Sequence, residues 1–168
     1  MKKILFLAVL LFSGAAFSLE APKLIGDYGD WSAYTFKEGG ANVCYIASTP
    51  KKDEGAYKKR GDIYAVVTHR PKDNSFDVVN FVAGYTFKPN ATFTVKIGRE
   101  TFTSFFVEDD KAWTLTDEAD KALVKAMVRG EHMIVEGTSS RGTKTKDTYS
   151  LKGFARAYKA INAKCGKK

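Results

Sequence analysis

Thr92-Phe93-Thr94-Val95-Lys96-Ile97-Gly98-Arg99 decides the class of fold. Phe93, Val95 and Ile97 alternate with Thr94 and Lys96, and side chains two apart share one face of an extended strand. The stretch therefore offers one apolar face to a core and one polar face to water. Gly98-Arg99 supplies a turn with glycine first, and Thr101 to Val107 reads as the returning arm of a hairpin. Asp109-Asp110 makes the next turn, into Lys111 to Leu115. Working outward, the other strand candidates are Trp31–Phe36, Val43–Ser48, Asp62–His69, Phe76–Ala83, His132–Thr138 and Thr145–Leu151, bounded by Gly, Pro, Asn or charged residues. About nine short strands predict a mainly β, single-domain antiparallel sandwich or barrel-like fold.

Two short helices interrupt the strands. Over 117–129, Ala119, Ala122, Leu123, Ala126 and Met127 form one apolar stripe at helical spacing. Thr116 or Asp117 can cap its start, acids occupy the first turn, and Arg129 and Gly130 close it. The second helix, over about 153–164, puts Phe154, Ala157, Tyr158 and Ile161 on one face. Cys165 continues that face at the next turn, so its side chain should point inward.

The chain opens with Lys2-Lys3, an apolar run from Ile4 to Phe12, and the small-residue stretch Ser13-Gly14-Ala15-Ala16-Phe17-Ser18. This is the layout of a secretory signal peptide over 1–18, with cleavage expected before Leu19. The run is shorter than the ~20 residues that span a bilayer. A mature domain of 19–168 is then periplasmic, secreted or associated with the outer membrane. The formal charge of the whole chain is +8; residues 1–18 hold two lysines and no acid, so their removal leaves +6. Twelve Phe, eight Tyr and two Trp supply apolar surface for one core. In an oxidising compartment, the even pair Cys44 and Cys165 is expected to form a disulfide, two free thiols being the alternative.

Catalytic patterns are sparse. A metal site needs three or four ligands, whereas the histidines are only His69 and His132, both in strand-like runs. Gly137-Thr138-Ser139-Ser140-Arg141-Gly142 has the wrong spacing for a nucleophile elbow and precedes no helix. Asp27, Asp30, Glu108, Asp109 and Asp110 could be paired on paper as glycosidase carboxylates, but solvated turn acids look the same. Asn90-Ala91-Thr92 matches a glycosylation acceptor that bacterial envelopes rarely use. No catalytic residue, metal ligand or cofactor is therefore assigned, and the chain is not expected to be an enzyme.

Two basic segments carry more signal. Residues 51–61 form a long connection holding Lys51, Lys52, Tyr57, Lys58, Lys59 and Arg60, and clustered cations around an aromatic ring suit an anionic surface. In 141–148, Arg141, Lys144 and Lys146 alternate with hydroxyls in a way that can hold phosphate or sulfate. A polar hairpin with a protected edge explains the same residues without a ligand. The expected partner is an envelope or host component with an anionic surface, not a specific nucleic acid, met by a monomer or small oligomer. The alternatives are a periplasmic hydrolase with an unrecognised site and a purely structural envelope protein.

Several short pieces together resemble the invasion-associated locus B family of exported bacterial proteins. They are Gly29-Asp30-Trp31, Cys44-Tyr45-Ile46-Ala47-Ser48, Arg60-Gly61, Gly84-Tyr85, Ile97-Gly98, Ala112-Trp113, Ala126-Met127, Arg141-Gly142-Thr143, Asp147-Thr148-Tyr149 and Ser150-Leu151-Lys152-Gly153-Phe154. The resemblance implies a compact β-rich periplasmic or surface-associated protein, linked in some pathogens to host-cell entry, with no catalytic residues to carry over. Better-known members bear extra cysteines, including a Gly-Cys pair ahead of the helix, where this chain reads Ala112-Trp113-Thr114.

Overall fold

The computed structural model describes residues 21–167; the signal peptide expected at 1–18 lies outside the described residues. In chain order the strands are β1 (Lys23–Tyr28), β2 (Trp31–Glu38), β3 (Ala41–Ser48), β4 (Lys52–Gly55), β5 (Tyr64–Arg70) and β6 (Ser75–Val82). They continue as β7 (Thr94–Ile97), β8 (Glu100–Phe102), β9 (Phe105–Glu108), β10 (Lys111–Thr114), β11 (His132–Thr138) and β12 (Lys144–Ser150). The helices are α1 (Asp117–Arg129), between β10 and β11, and α2 (Phe154–Cys165), after β12. One sheet has seven strands in the order β1-β2-β3-β5-β6-β10-β9, the other five in the order β4-β12-β11-β7-β8. Every pairing is antiparallel. Both sheets keep open edges, so the molecule is a sandwich and the barrel-like alternative falls away.

The returning arm expected at Thr101–Val107 is two strands in two sheets. Glu100–Phe102 pairs back on β7, whereas Phe105–Glu108 pairs with β10. Phe102 and Phe105 are three apart, so on one straight strand they would face opposite ways. A bend at Thr103-Ser104 lets both pack against the core. Phe105 then meets Phe93 at 4.9 Å and Phe81 at 6.1 Å between ring centroids, and this cluster joins the sheets. One further expectation needs correction, and one strand was not expected. The connection 51–61 is not all loop, because Lys52–Gly55 pairs with β12 as an edge strand. Lys23–Tyr28 is a strand with a register shift between Leu24 and Gly26, which hides its alternation.

The inner face of the seven-stranded sheet carries Trp31, Ala33, Cys44, Ile46, Ala65, Val67, His69, Val79 and Phe81, all buried. Part of it meets the smaller sheet and the rest is covered by the helices. Thr116 caps α1 by accepting the Ala119 N–H at 3.2 Å, and Asp117, Glu118 and Asp120 stand in the first turn where the helix dipole favours acids. Asp120 turns inward. Its carboxylate accepts the Val79 N–H at 2.7 Å, just past the point where β10 stops pairing with β6, and so replaces the missing strand partner. Burial pushes its pKa up.

Helix α2 is held at several points. Phe154 meets Trp31 edge-on at 4.9 Å, and the Trp31 indole N–H donates to Ser150 O at 2.9 Å. Gly153 precedes the helix with φ +94°, and a Cβ there would lie 1.5 Å from Tyr28 O, so the junction admits only glycine. Cys165 faces inward as its helical position predicts and is disulfide-bonded to Cys44, with Cα atoms 6.1 Å apart. One turn earlier, Asn162 meets His69, the cross-strand neighbour of Cys44. His69 Nδ1 accepts the Asp77 N–H at 3.1 Å, so the ring is the Nε2–H tautomer and donates to Asn162 Oδ1 at 2.7 Å. Asp77 is buried in a bulge of β6 with φ +65°; it accepts from the Tyr158 hydroxyl at 2.7 Å and from Lys167. The opposite face of the sheet is half exposed and carries the stacked pairs Tyr34–Tyr45 and Phe106–Trp113.

The disulfide closes a separation of 121 residues, for which chain entropy alone gives about 5 kcal/mol. Cys44→Ser with Cys165→Ser, or reduction, is expected to lower the unfolding free energy in urea by roughly 2–5 kcal/mol. An unchanged midpoint would show that α2 docks without the bond. A second expectation concerns pH. Burial pushes the His69 imidazole below its ordinary value, against the Asn162 hydrogen bond and Asp77. Above about pH 6.5 the ring is neutral in folded and unfolded chains alike; below it the unfolded chain takes the proton first, so stability falls as pH drops. His69→Gln should show a shallower fall in urea midpoint between about pH 7 and pH 5.5 than the unmutated protein. Equal slopes would assign the titration to another group.

Candidate functional site

Arg60 precedes β5 in the larger sheet, and Asp147 lies on β12 of the smaller one. Strand β12 alternates Thr145, Asp147 and Tyr149 inward, so its acid is delivered to the interior. The guanidinium donates twice to that carboxylate, Nη1 to Oδ1 and Nη2 to Oδ2, both at 2.6 Å, and Nε donates to Ala83 O at 2.7 Å. The two side chains are only 4% and 5% exposed. Burial works against the guanidinium, but the hydrogen bonds to Asp147 prevail and hold its pKa above the ordinary value. Burial likewise pushes Asp147 up, opposed by the Arg60 hydrogen bonds. Arg60 thus ties the end of β6 to β12 across the sheets, and it is not a free cation.

Arg60 also shapes what lies outside it. Its guanidinium carbon sits 5.5 Å from the Tyr57 ring centroid and 5.0 Å from that of Tyr85, a cation between two aromatic rings. The Tyr57 hydroxyl donates to Asp53 Oδ2 at 2.6 Å, an interaction that raises its pKa, and the Tyr85 hydroxyl is hydrogen-bonded to Thr145 Oγ1 at 2.7 Å. Burial raises the Tyr85 pKa. Above these rings opens a groove of about 590 Å³. Its walls are the 56–61 connection, the 84–86 segment after β6, and the β11–β12 turn from Ser139 to Thr143.

This turn is closed by the Gly142 N–H donating to Ser139 O at 2.8 Å and the Thr143 N–H to Ser139 Oγ at 3.1 Å. Gly142 has φ +84°, the conformation the turn demands. Arg141 projects at its tip. The two basic segments of the sequence therefore meet, contributing Tyr57, Lys58, Lys59 and Arg60 from one and Arg141 from the other. Lys58, Lys59 and Arg141 are exposed and carry no ion pair among the described residues. Among the described residues, no Asp or Glu lines the groove.

The remaining expected site residues lie elsewhere. Lys51 pairs with Asp30 at 2.5 Å and Lys52 with Glu54 at 2.9 Å, near the edge strand β4. Lys146 is flanked in register by Glu54 on β4 and Glu136 on β11, and Lys144 lines the same shallow face outside the groove. Cross-strand acids compensate that face, whereas the groove has none. Tyr85, Thr86 and Asp147 were not among the expected site residues. An acid at an inward position of an alternating strand was the available signal for Asp147, since a buried carboxylate needs a cation. Among the described residues, no group of three or more His, Cys, Asp and Glu is placed to hold a metal ion.

The family model for invasion associated locus B (IalB) protein matches residues 31–162. Among solved structures, the fold is similar to the crystal structure of invasion associated protein B from Bartonella henselae, with a TM-score of 0.57 and 17% identity. That match covers 86% of this chain and 97% of the other, and at such low identity it speaks for the fold alone. No curated protein matches by sequence.

Breaking the clamp from one side leaves a buried charge without a partner. Arg60→Met is expected to cost about 3–5 kcal/mol in urea unfolding, and Arg60→Met with Asp147→Leu much less than the sum of the single changes. Additive losses would show that the two residues act independently.

Proposed function

The chain belongs to the invasion associated locus B family, and from that premise we propose that it is an exported cell-envelope protein that acts by binding, holding an anionic partner in the groove between Lys58, Lys59 and Arg141. The observation that carries this reading is the meeting of two basic segments, distant in sequence, around one hollow without a carboxylate. Cations that fold into ion pairs serve stability, as Lys51 and Lys52 do. Cations left unpaired beside one another repel, and an anion between them relieves that repulsion. The charge of +6 left after leader removal draws such a partner from a distance. An envelope polymer and a host surface both present anions of this kind.

A hydrolase reading draws less support. Ser139 and Ser140 border the groove, but a nucleophile needs a base within hydrogen-bond reach. His69 is fully buried with both ring nitrogens bonded, and His132 lies on β11, opposite Ser150 of β12. The Ser139 hydroxyl oxygen already accepts the Thr143 N–H.

The test is retention of the mature, disulfide-intact protein on phosphocellulose. Lys58→Ser, Lys59→Ser and Arg141→Ser together are compared with Lys125→Ser, Arg156→Ser and Lys159→Ser, exposed helix cations that make the same change in net charge. The groove variant is expected to elute at clearly lower salt and the helix variant close to the unmutated protein, because screening weakens exposed charge contacts. Equal shifts would reduce the effect to overall charge. Capture from envelope extracts of a protein that survives high salt would move the binding to the aromatic outer face of the larger sheet.

A further inference from the structure

We propose that the groove recognises a phosphorylated saccharide, with the phosphate held by Lys58, Lys59 and Arg141 and the sugar ring laid against Tyr57 and Tyr85. This deepens the anionic reading above and rests on it. Three unpaired cations facing no acid call for more than the single charge of a carboxylate. A phosphate monoester brings close to two charges and three acceptor oxygens at neutral pH. Two lysines supply mobile point charges, and Arg141 a planar fork that can take two of those oxygens.

The saccharide half of the proposal rests on the walls. The Tyr57 hydroxyl is bonded to Asp53, outside the groove, the Tyr85 hydroxyl to Thr145 on its wall, and the Arg60 guanidinium lies between the rings. The rings are thus fixed before any ligand arrives, which lowers the ordering cost of stacking. Around them, the side-chain hydroxyls of Thr86, Ser140 and Thr143 make no hydrogen bond among the described residues. Rigid aromatic rings beside unpartnered hydroxyls suit a ligand ring with apolar C–H faces and a polar, hydroxyl-bearing rim. The volume of about 590 Å³ lies in the range of small-ligand clefts. A nucleic-acid strand would need a continuing cationic track. Here the track stops, because the adjoining face sets Glu54 and Glu136 on either side of Lys146.

The experiment is calorimetric titration of the mature, disulfide-intact protein with maltose 1-phosphate, maltose, inorganic phosphate and a short oligothymidylate at one ionic strength. Maltose 1-phosphate is expected to bind about tenfold or more tightly than either inorganic phosphate or maltose, reflecting stacking added to the ion contacts. Tyr57→Leu should remove that advantage, so that maltose 1-phosphate and inorganic phosphate bind the variant equally, and Lys58→Ser with Lys59→Ser and Arg141→Ser should abolish binding of both phosphates. Thermal unfolding of each variant confirms that it is folded. Equal affinity for maltose 1-phosphate and inorganic phosphate, lost in the triple variant, would overturn the saccharide proposal and leave the anionic reading standing. Tighter binding of the oligothymidylate would overturn the saccharide in favour of nucleic acid. Phosphate binding that the triple variant retains, or no binding to any of the four, would overturn both.

Discussion

The inner face of the seven-stranded sheet must be covered, and the sheet of only five strands does not cover it alone. Apolar side chains along β2, β3, β5 and β6 would otherwise face water at roughly 25 cal/mol for each Å² left exposed. Helices α1 and α2 complete the cover, and each of their fastenings follows from that role. The disulfide and the His69–Asn162 hydrogen bond hold the end of α2 against β3 and β5. Asp120 fixes α1 to β6 where a strand partner is missing.

The same sandwich needs a junction at its margin, where β6 ends and β12 begins. A buried carboxylate on β12 is costly unless paired, and Arg60 reaches across to satisfy it with two hydrogen bonds while also capping Ala83 O. In doing so it draws the 56–61 connection onto the body of the protein and orders Tyr57 and Tyr85 on either side. The groove is therefore a by-product of a structural bond. Its shape comes from a cation already committed to Asp147, and its charge from neighbours that the bond leaves unpaired.

Lysine position, more than lysine number, separates the groove from the rest of this basic surface. Lys96 on β7 pairs with Glu136 at 2.6 Å, Lys111 on β10 with Asp110 at 2.8 Å, and Lys51 and Lys52 with acids of their own. Exposed pairs of this sort add little to stability, but they quench the local field. Lys58, Lys59 and Arg141 retain theirs and, unlike the scattered helix cations Lys125, Arg156 and Lys159, line one hollow together.

The sequence alone settled the β class, both helices with near-correct ends and most of the strands, and pointed to the Cys44–Cys165 bond that the structure contains, because each depends on local periodicity or on counting. Alternation at Phe93, Val95 and Ile97 has one physical meaning wherever the strand sits; of the expected helical stripe Leu123, Ala126 and Met127 are buried, whereas Ala122 is exposed and Asp120 and Val124 complete the inner face. The break at Thr103-Ser104 was not legible, since it arises from two phenylalanines seeking one core across two sheets. Nor could the sequence separate Arg60 from Lys58 and Lys59. All three read as surface cations until β12 presents Asp147 from the facing sheet and takes one of them inward. The convergence of Arg141 with the 56–61 segment was likewise decided by tertiary structure, because charge carries no record of distance along the chain and only the pairing of strands sets which cations become neighbours.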